Sequence, residues 1–235
     1  SEAIDKLSIL QPDDKHYLFL PLAHAFAKVL EIGFIRLGVP TVVDGDLDNL
    51  MENLMETQPT VVGAVPRVFE KAYNRIITAG QEKTGTQRKI FNWAMRIGQE
   101  VSVLRQAGKE PSGALAVQFR MADKLVFSKI KERFGGRIKY FVSGGAPLSP
   151  EIASFFHGAD LLILEGYGLT ESSAASFVNR PERYQFGTVG LPAPGVEIKI
   201  AKDGEILLGG RGIMKGYANE PKATARVLTK DGWLK

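Results

Sequence analysis

The chain has 235 residues, of which 44% are hydrophobic and 24% charged, with a formal net charge of +4 and no cysteine. Such a composition belongs to a globular protein that can bury its own core, and it excludes disulfides and cysteine-held metals. The positive balance is small and holds no run of about five like charges, so it indicates no nucleic-acid footprint and supports only a weak pull toward anionic ligands.

No apolar run reaches about 18 residues, so no membrane-spanning helix is expected. The opening Ser1-Glu2-Ala3-Ile4-Asp5-Lys6 has no signal-peptide pattern, and a cytoplasmic location is the default expectation. The histidines, His16, His24 and His157, lack metal-site spacing. The sequence opens without Met and stops at Gly232-Trp233-Leu234-Lys235, inside what reads as a strand, so it reads as an internal piece of a longer protein.

In chain order, Tyr17 to Leu22 is a buried strand by composition, followed by Ala23-His24 and an apolar helix from Ala25 to Leu37 that Gly38 stops. Val39 to Val43 is a second strand. Asp46 is placed to cap a helix carrying Leu47, Leu50, Met51, Leu54 and Met55 at helical spacing, closed by Pro59. Thr60 to Val65 is a third strand, and Pro66 opens a helix where its missing N–H costs nothing. This alternation predicts right-handed βαβ units and a parallel sheet.

Residues 80–135 differ. Gly80 to Thr86 reads as a turn, Ile90 to Leu104 as one helix, Gly108 to Gly113 as a break, and Leu115 to Phe134 as a second helix ended by Gly135-Gly136. This is a helical hairpin inserted between two strands, its faces read most simply as covers for the sheet. Beyond Glu171 short apolar pieces alternate with glycines, and Asp203-Gly204 is a hairpin signal. The expected fold class is α/β: a parallel sheet flanked by helices (residues 1–178), then a small antiparallel, barrel-like subdomain (residues 179–235).

Two stretches carry the chemistry. Phe141-Val142-Ser143 runs into Gly144-Gly145-Ala146-Pro147-Leu148-Ser149-Pro150, and Leu161 to Glu165 runs into Gly166-Tyr167-Gly168-Leu169-Thr170-Glu171. Ligands of open α/β sheets sit where such strands end. Glycines let the backbone approach a flat ligand, Tyr167 offers an aromatic face, Thr170 a hydroxyl for a phosphate, and Glu171 a hard oxygen for a magnesium ion. Each turn taken singly is equally well a ligand-free strand-to-helix turn, and a lone His24 at a strand end is more often packing than chemistry. Ser149 is placed to cap the following helix, with Pro150 at its first position. The near-match to Gly-x-Gly-x-x-Gly fails at Glu171, and no Walker loop or Gly-x-Ser-x-Gly elbow occurs.

The order of motifs is more specific than any one of them. Leu20-Pro21-Leu22-Ala23-His24, Ser143 to Leu148, Glu165 to Glu171, Gly187-Thr188-Val189-Gly190-Leu191-Pro192, Gly209 to Tyr217 and Gly232 to Lys235 together resemble the adenylate-forming superfamily of acyl-CoA synthetases, luciferases and peptide-synthetase adenylation domains. Val65 to Lys71 and the helical insertion resemble the long-chain fatty-acid–CoA ligases in particular. The resemblance implies a two-step reaction: a fatty-acid carboxylate attacks the α-phosphate of ATP to give acyl-adenylate and pyrophosphate, and CoA then displaces AMP.

It also implies roles. Gly144, Gly145 and Ala146 would line the adenine, with Gly166, Tyr167 and Gly168 on its other side. Thr170 would hold the α-phosphate, Glu171 the Mg2+, and His24 the acyl end of the pocket. The family's phosphate loop would precede residue 1, its ribose-holding aspartate would follow Lys235, and its C-terminal domain with the catalytic lysine would lie beyond, so the 235-residue chain alone is expected not to turn over. Alternatives are a fatty-acyl-AMP ligase, which stops at the adenylate, and a non-catalytic nucleotide- or acyl-binding module. Peripheral membrane contact stays open because long-chain acids partition into bilayers.

Overall fold

The computed structural model describes residues 10–235; the opening segment read above for signal-peptide character lies outside them. The strands are β1 (His16–Leu18), β2 (Thr41–Val43), β3 (Val61–Ala64), β4 (Tyr140–Ser143), β5 (Leu162–Tyr167), β6 (Phe177–Val178), β7 (Leu191–Pro192), β8 (Val196–Ile200) and β9 (Ile206–Gly210). The helices are α1 (Ala25–Arg36), α2 (Leu50–Thr57), α3 (Pro66–Gln81), α4 (Gly85–Gln106), α5 (Gly113–Ala122), α6 (Ser128–Glu132), α7 (Pro150–Gly158) and α8 (Pro221–Val227). One sheet runs in the order β2-β1-β3-β4-β5-β6-β7, and β8 and β9 form a separate antiparallel pair.

The strands from β2 to β5 are parallel, with Ala64 opposite Ser143 and Ser143 opposite Glu165. Every residue of β3 is buried, because helices cover both faces of a parallel sheet and leave no polar side. β6 and β7 continue the sheet antiparallel, so their pairing crosses residue 178, and the main sheet extends to Pro192. The small antiparallel part is the two-stranded hairpin β8–β9, turned at Asp203-Gly204 with Gly204 at φ +92° and the Asp203 carboxylate accepting from the Glu205 N–H. Leu234 bridges to Leu208.

Several local expectations shift. β1 stops at Leu18, short of the expected Leu22, and the following Pro21 sits in a turn. α2 starts at Leu50, and Asn49, not Asp46, is its N-cap. Asp46 instead accepts from the N–H groups of Asp48 and Asn49 in the preceding loop. α3 continues through Gly80 to Gln81, where the buried Gly80 leaves room for the Phe91 ring. The expected helix from Leu115 to Phe134 contains a π-helical turn at Asp123–Phe127. Ser149 is the N-cap of α7, as expected, but its side chain makes no capping hydrogen bond.

The core is aromatic. Phe69 and Phe134 each meet Phe141 edge-to-face at 5.3 Å, and Phe156 meets the same pair at 6.0 and 5.9 Å. These are favourable ring geometries, and they join α3, the end of the insertion and α7 to the middle of the sheet. The insertion docks through a glycine contact: a Cβ at Gly98 would lie 2.9 Å from the Gly158 carbonyl oxygen, and one at Gly158 would lie 2.6 Å from that of Gly98. Helices α4 and α7 therefore touch backbone to backbone.

Beside that contact His157 is buried, with Nδ1 3.0 Å from the Ser102 hydroxyl and Nε2 2.8 Å from the Tyr184 hydroxyl. His16 is fully buried and stacks on Phe34 at 3.8 Å. Burial depresses His157 from the ordinary 6.5 to about 4 and His16 to about 3. The unfolded chain takes up protons near pH 6.5, while the folded chain resists until pH 4 or below. The fold therefore loses stability as pH falls from 6.5 toward 4, by about 1.4 kcal/mol per unit of pKa separation. Glu165, raised by burial, opposes this in part. The thermal midpoint is expected to fall by at least about 5 °C between pH 7 and 4.5, with a shallower fall in His157→Gln; a flat profile in the wild type would show that these rings are not held neutral.

Candidate active site

The C-terminal ends of β4 and β5 open on a cavity of about 310 Å³ between the sheet and α1. Its rim holds His24, Gly144, Gly145, Gly166, Tyr167, Gly168, Thr170 and Glu171. Its inner wall is apolar and includes Val29, Leu30, Phe34, Val61, Tyr140 and Val142. Residues from positions 24 to 171 are thus brought to one concavity by the parallel register, which ends adjacent strands at the same level. Ala146, expected beside an adenine, is exposed and does not line the cavity.

His24 is exposed and is the N-cap of α1, its Nδ1 accepting from the Phe26 N–H at 3.2 Å. An accepting Nδ1 places the proton of the neutral ring on Nε2. The ring therefore offers an N–H donor on the side away from the helix.

The glycines have reasons internal to the chain. Gly144 lies against the Phe26 ring, 3.3 Å from where its Cβ would be, and Gly145 has φ +86° with only Val65 near its Cβ position, at 3.8 Å. At Gly168 a Cβ would lie 1.2 Å from the Ala174 carbonyl oxygen. That collision arises because residues 168–176 fold into a tight knot. Ala174 N–H donates to the Leu169 carbonyl at 2.9 Å, Ser176 N–H to the Tyr167 carbonyl at 2.9 Å, and the Ser176 hydroxyl to that of Ser172 at 2.7 Å. Ser173 and Ala174 sit at φ +59° and +78°, a left-handed conformation costly for side chains with a Cβ.

This knot sets Thr170 and Glu171 on a short 3₁₀ turn (Thr170–Ser172) at the mouth of the cavity. The Tyr217 hydroxyl donates to Glu171 Oε1 at 2.7 Å and holds the carboxyl below its ordinary range, so Glu171 is ionised near neutrality. The only local sequence signal for Tyr217 is its place at the end of the glycine run Gly209 to Gly216. Among the described residues no group of three or more His, Asp or Glu side chains could hold a metal by itself. No described helix is long and apolar enough to cross a membrane.

The chain is 37% identical over 229 residues to a long-chain-fatty-acid–CoA ligase of Mycobacterium bovis, FadD15, covering 97% of this chain and 37% of that protein. It is 35% identical over 238 residues to long chain acyl-CoA synthetase 1 of Arabidopsis thaliana, covering 94% of this chain and 35% of the relative. It therefore spans little more than a third of the length of these relatives. Among solved structures, the N-terminal domain of FACL13 from Mycobacterium tuberculosis superposes with a TM-score of 0.66 at 18% identity, over 100% of this chain and 50% of that one, and shows a common fold. The sequence profile of the AMP-binding enzymes matches residues 2–218. With that match over nearly its whole length, and with its glycine-rich strand ends converging on one cavity, the chain belongs to the AMP-binding enzyme family, the adenylate-forming proteins.

Proposed function

We propose that this chain is the nucleotide- and acyl-binding part of a long-chain fatty-acid–CoA ligase that forms AMP. The observation that carries the reading is that one cavity is lined both by glycine backbone, Thr170 and an ionised Glu171 and by the apolar side chains of Val29, Leu30, Phe34 and Val142. A molecule with an anionic head and a hydrocarbon tail matches that division.

In this reading the backbone at Gly144, Gly145, Gly166 and Gly168 and the ring of Tyr167 flank the adenine, and the Thr170 hydroxyl donates to the α-phosphate. The His24 Nε2–H faces the fatty-acid carboxylate and orients it for attack on that phosphorus. The new bond is carboxylate oxygen to α-phosphorus, and pyrophosphate leaves with the electrons of the broken P–O bond; the thiol sulfur of CoA then attacks the acyl carbon and AMP leaves. Positioning and charge neutralisation supply most of the acceleration in such a displacement.

The residues suit magnesium brought in with ATP: one ionised carboxylate is too little for a resident ion, and phosphate oxygens and water would supply the rest of its ligands. Such an ion would neutralise charge on the departing pyrophosphate. Glu171 is the residue that would hold it.

The test is ATP–pyrophosphate exchange by the full-length protein with fatty acids of increasing length. Exchange that requires a long acid, followed by CoA-dependent AMP release, is the expected result. Exchange without any use of CoA would move the assignment to a fatty-acyl-AMP ligase, and no exchange with any acid would leave only a binding module.

A further inference from the structure

The β-rich segment after the main sheet reaches back to the cavity mouth at the turn that carries Glu171. Its backbone carbonyl accepts from the Met214 N–H at 2.8 Å, and its side chain accepts from the Tyr217 hydroxyl at 2.7 Å. The neighbouring Ser173 hydroxyl donates to the Gly212 carbonyl at 2.7 Å. Gly212 sits flush on the turn, since a Cβ there would lie 3.2 Å from the Ser172 carbonyl oxygen. The loop before Tyr217 is therefore riveted to the turn that carries Thr170 and Glu171.

Tyr217 itself is anchored from the other side, through its backbone. Its N–H donates to the Thr224 hydroxyl of α8 at 2.9 Å, and that hydroxyl donates to the Glu220 carbonyl at 3.0 Å. Gly216, at φ +145°, leaves only 2.8 Å between its missing Cβ and the Thr224 methyl group. The phenol is thus delivered to Glu171 by a segment whose own placement does not depend on the hydroxyl.

A glutamate on a surface turn has three rotatable bonds, and a cation gains little from a carboxylate that must be ordered at the moment of binding. We propose that Tyr217 is a positioning residue for Glu171. By occupying one lone pair of Oε1 it fixes the carboxylate plane, leaving Oε2 and the rest of Oε1 to face a magnesium ion brought in by the phosphates. The proposal rests on the function given above. The partner of a metal-facing carboxylate typically changes metal affinity about 10- to 100-fold when removed; this contact is half exposed, so the lower figure applies.

Binding of ATP to the full-length protein by titration calorimetry, once with Mg2+ and once with EDTA, tests this. Tyr217→Phe keeps the ring and the backbone bond to Thr224, and its thermal midpoint should stay within about 2 °C of wild type. It is expected to weaken ATP binding about tenfold with Mg2+ and to leave binding in EDTA unchanged. On a Glu171→Gln background, where the metal advantage is already lost, Tyr217→Phe is expected to add nothing. Equal weakening in both buffers, or none in either, overturns the positioning role and leaves Tyr217 an ordinary fold contact. A wild-type protein that binds no ATP in either buffer overturns the ligase reading, and the inference with it.

Discussion

Replacing Glu171 with glutamine is expected to lower ATP–pyrophosphate exchange by about two to three orders of magnitude, the usual loss when one preorganised charge-stabilising group is removed from a reacting centre. Glutamine has the same length, and its amide oxygen can still accept from the Tyr217 hydroxyl that sits 2.7 Å from Oε1 in the wild type. The turn Thr170–Ser172 is held by backbone and serine bonds that do not involve this side chain, among them the Leu169 N–H to Ser172 Oγ bond at 3.0 Å. The substitution therefore removes a charge and little else. Glu171→Asp makes the complementary change: it keeps the charge, shortens the reach to Tyr217 and to the cavity, and should fall between the two. An exchange rate in Glu171→Gln within about tenfold of wild type would show that the carboxylate does not face the charge that develops on the phosphates, and the metal role assigned to it would be withdrawn.

Gly168→Ala should be the most damaging single methyl group in the site. A Cβ there would lie 1.2 Å from the Ala174 carbonyl oxygen, well inside the contact distance of any two atoms. The obstacle is backbone, and that backbone is already committed: Ala174 sits at φ +78° with its N–H bonded to the Leu169 carbonyl at 2.9 Å. Relief requires opening the knot that sets Thr170 and Glu171, so the expected loss is at least about 3 kcal/mol, at the upper end of overpacking costs. Gly145→Ala is the matched comparison. Gly145 also lies at the cavity rim and has φ +86°, but its Cβ would meet nothing nearer than Val65 at 3.8 Å. Only the left-handed backbone penalises it, by about 1–2 kcal/mol. Urea midpoints of the two variants measure the difference directly. If Gly168→Ala is as stable as Gly145→Ala, the close approach of residues 168 and 174 is not a feature of the folded protein.

Both predictions concern residues visible as a motif in the sequence, yet the reasons differ in kind from those the sequence offered. The glycines of Gly166-Tyr167-Gly168 read as openings for a flat ligand; in the fold Gly168 is required by the chain's own carbonyl at Ala174. Similarly, the need for glycine at Gly98 and Gly158 comes from their contact across α4 and α7. Such requirements come from pairs of residues brought together late, and a local reading has no access to the second member.

What the sequence determined by itself was whatever depends on near neighbours. Short apolar runs bounded by Gly and Pro located β3, β4 and β5; Pro66 and Pro150 marked the starts of α3 and α7; Asp203-Gly204 turned the β8–β9 hairpin. The alternation of these elements was enough to imply a parallel sheet, because crossover handedness and face burial leave few other arrangements. The order of motifs was enough to place the chain in its family. The tertiary structure alone decided how β6 and β7 extend the sheet, that Ala146 stays off the cavity wall, and that an apolar interior lies behind the polar rim. It alone joined Tyr217 to Glu171. The physical reason is one of range: capping, turn and strand preferences act over a few residues, whereas a hydrogen bond between two loops or a cavity wall shared by α1 and four strands exists only after packing has fixed the distances.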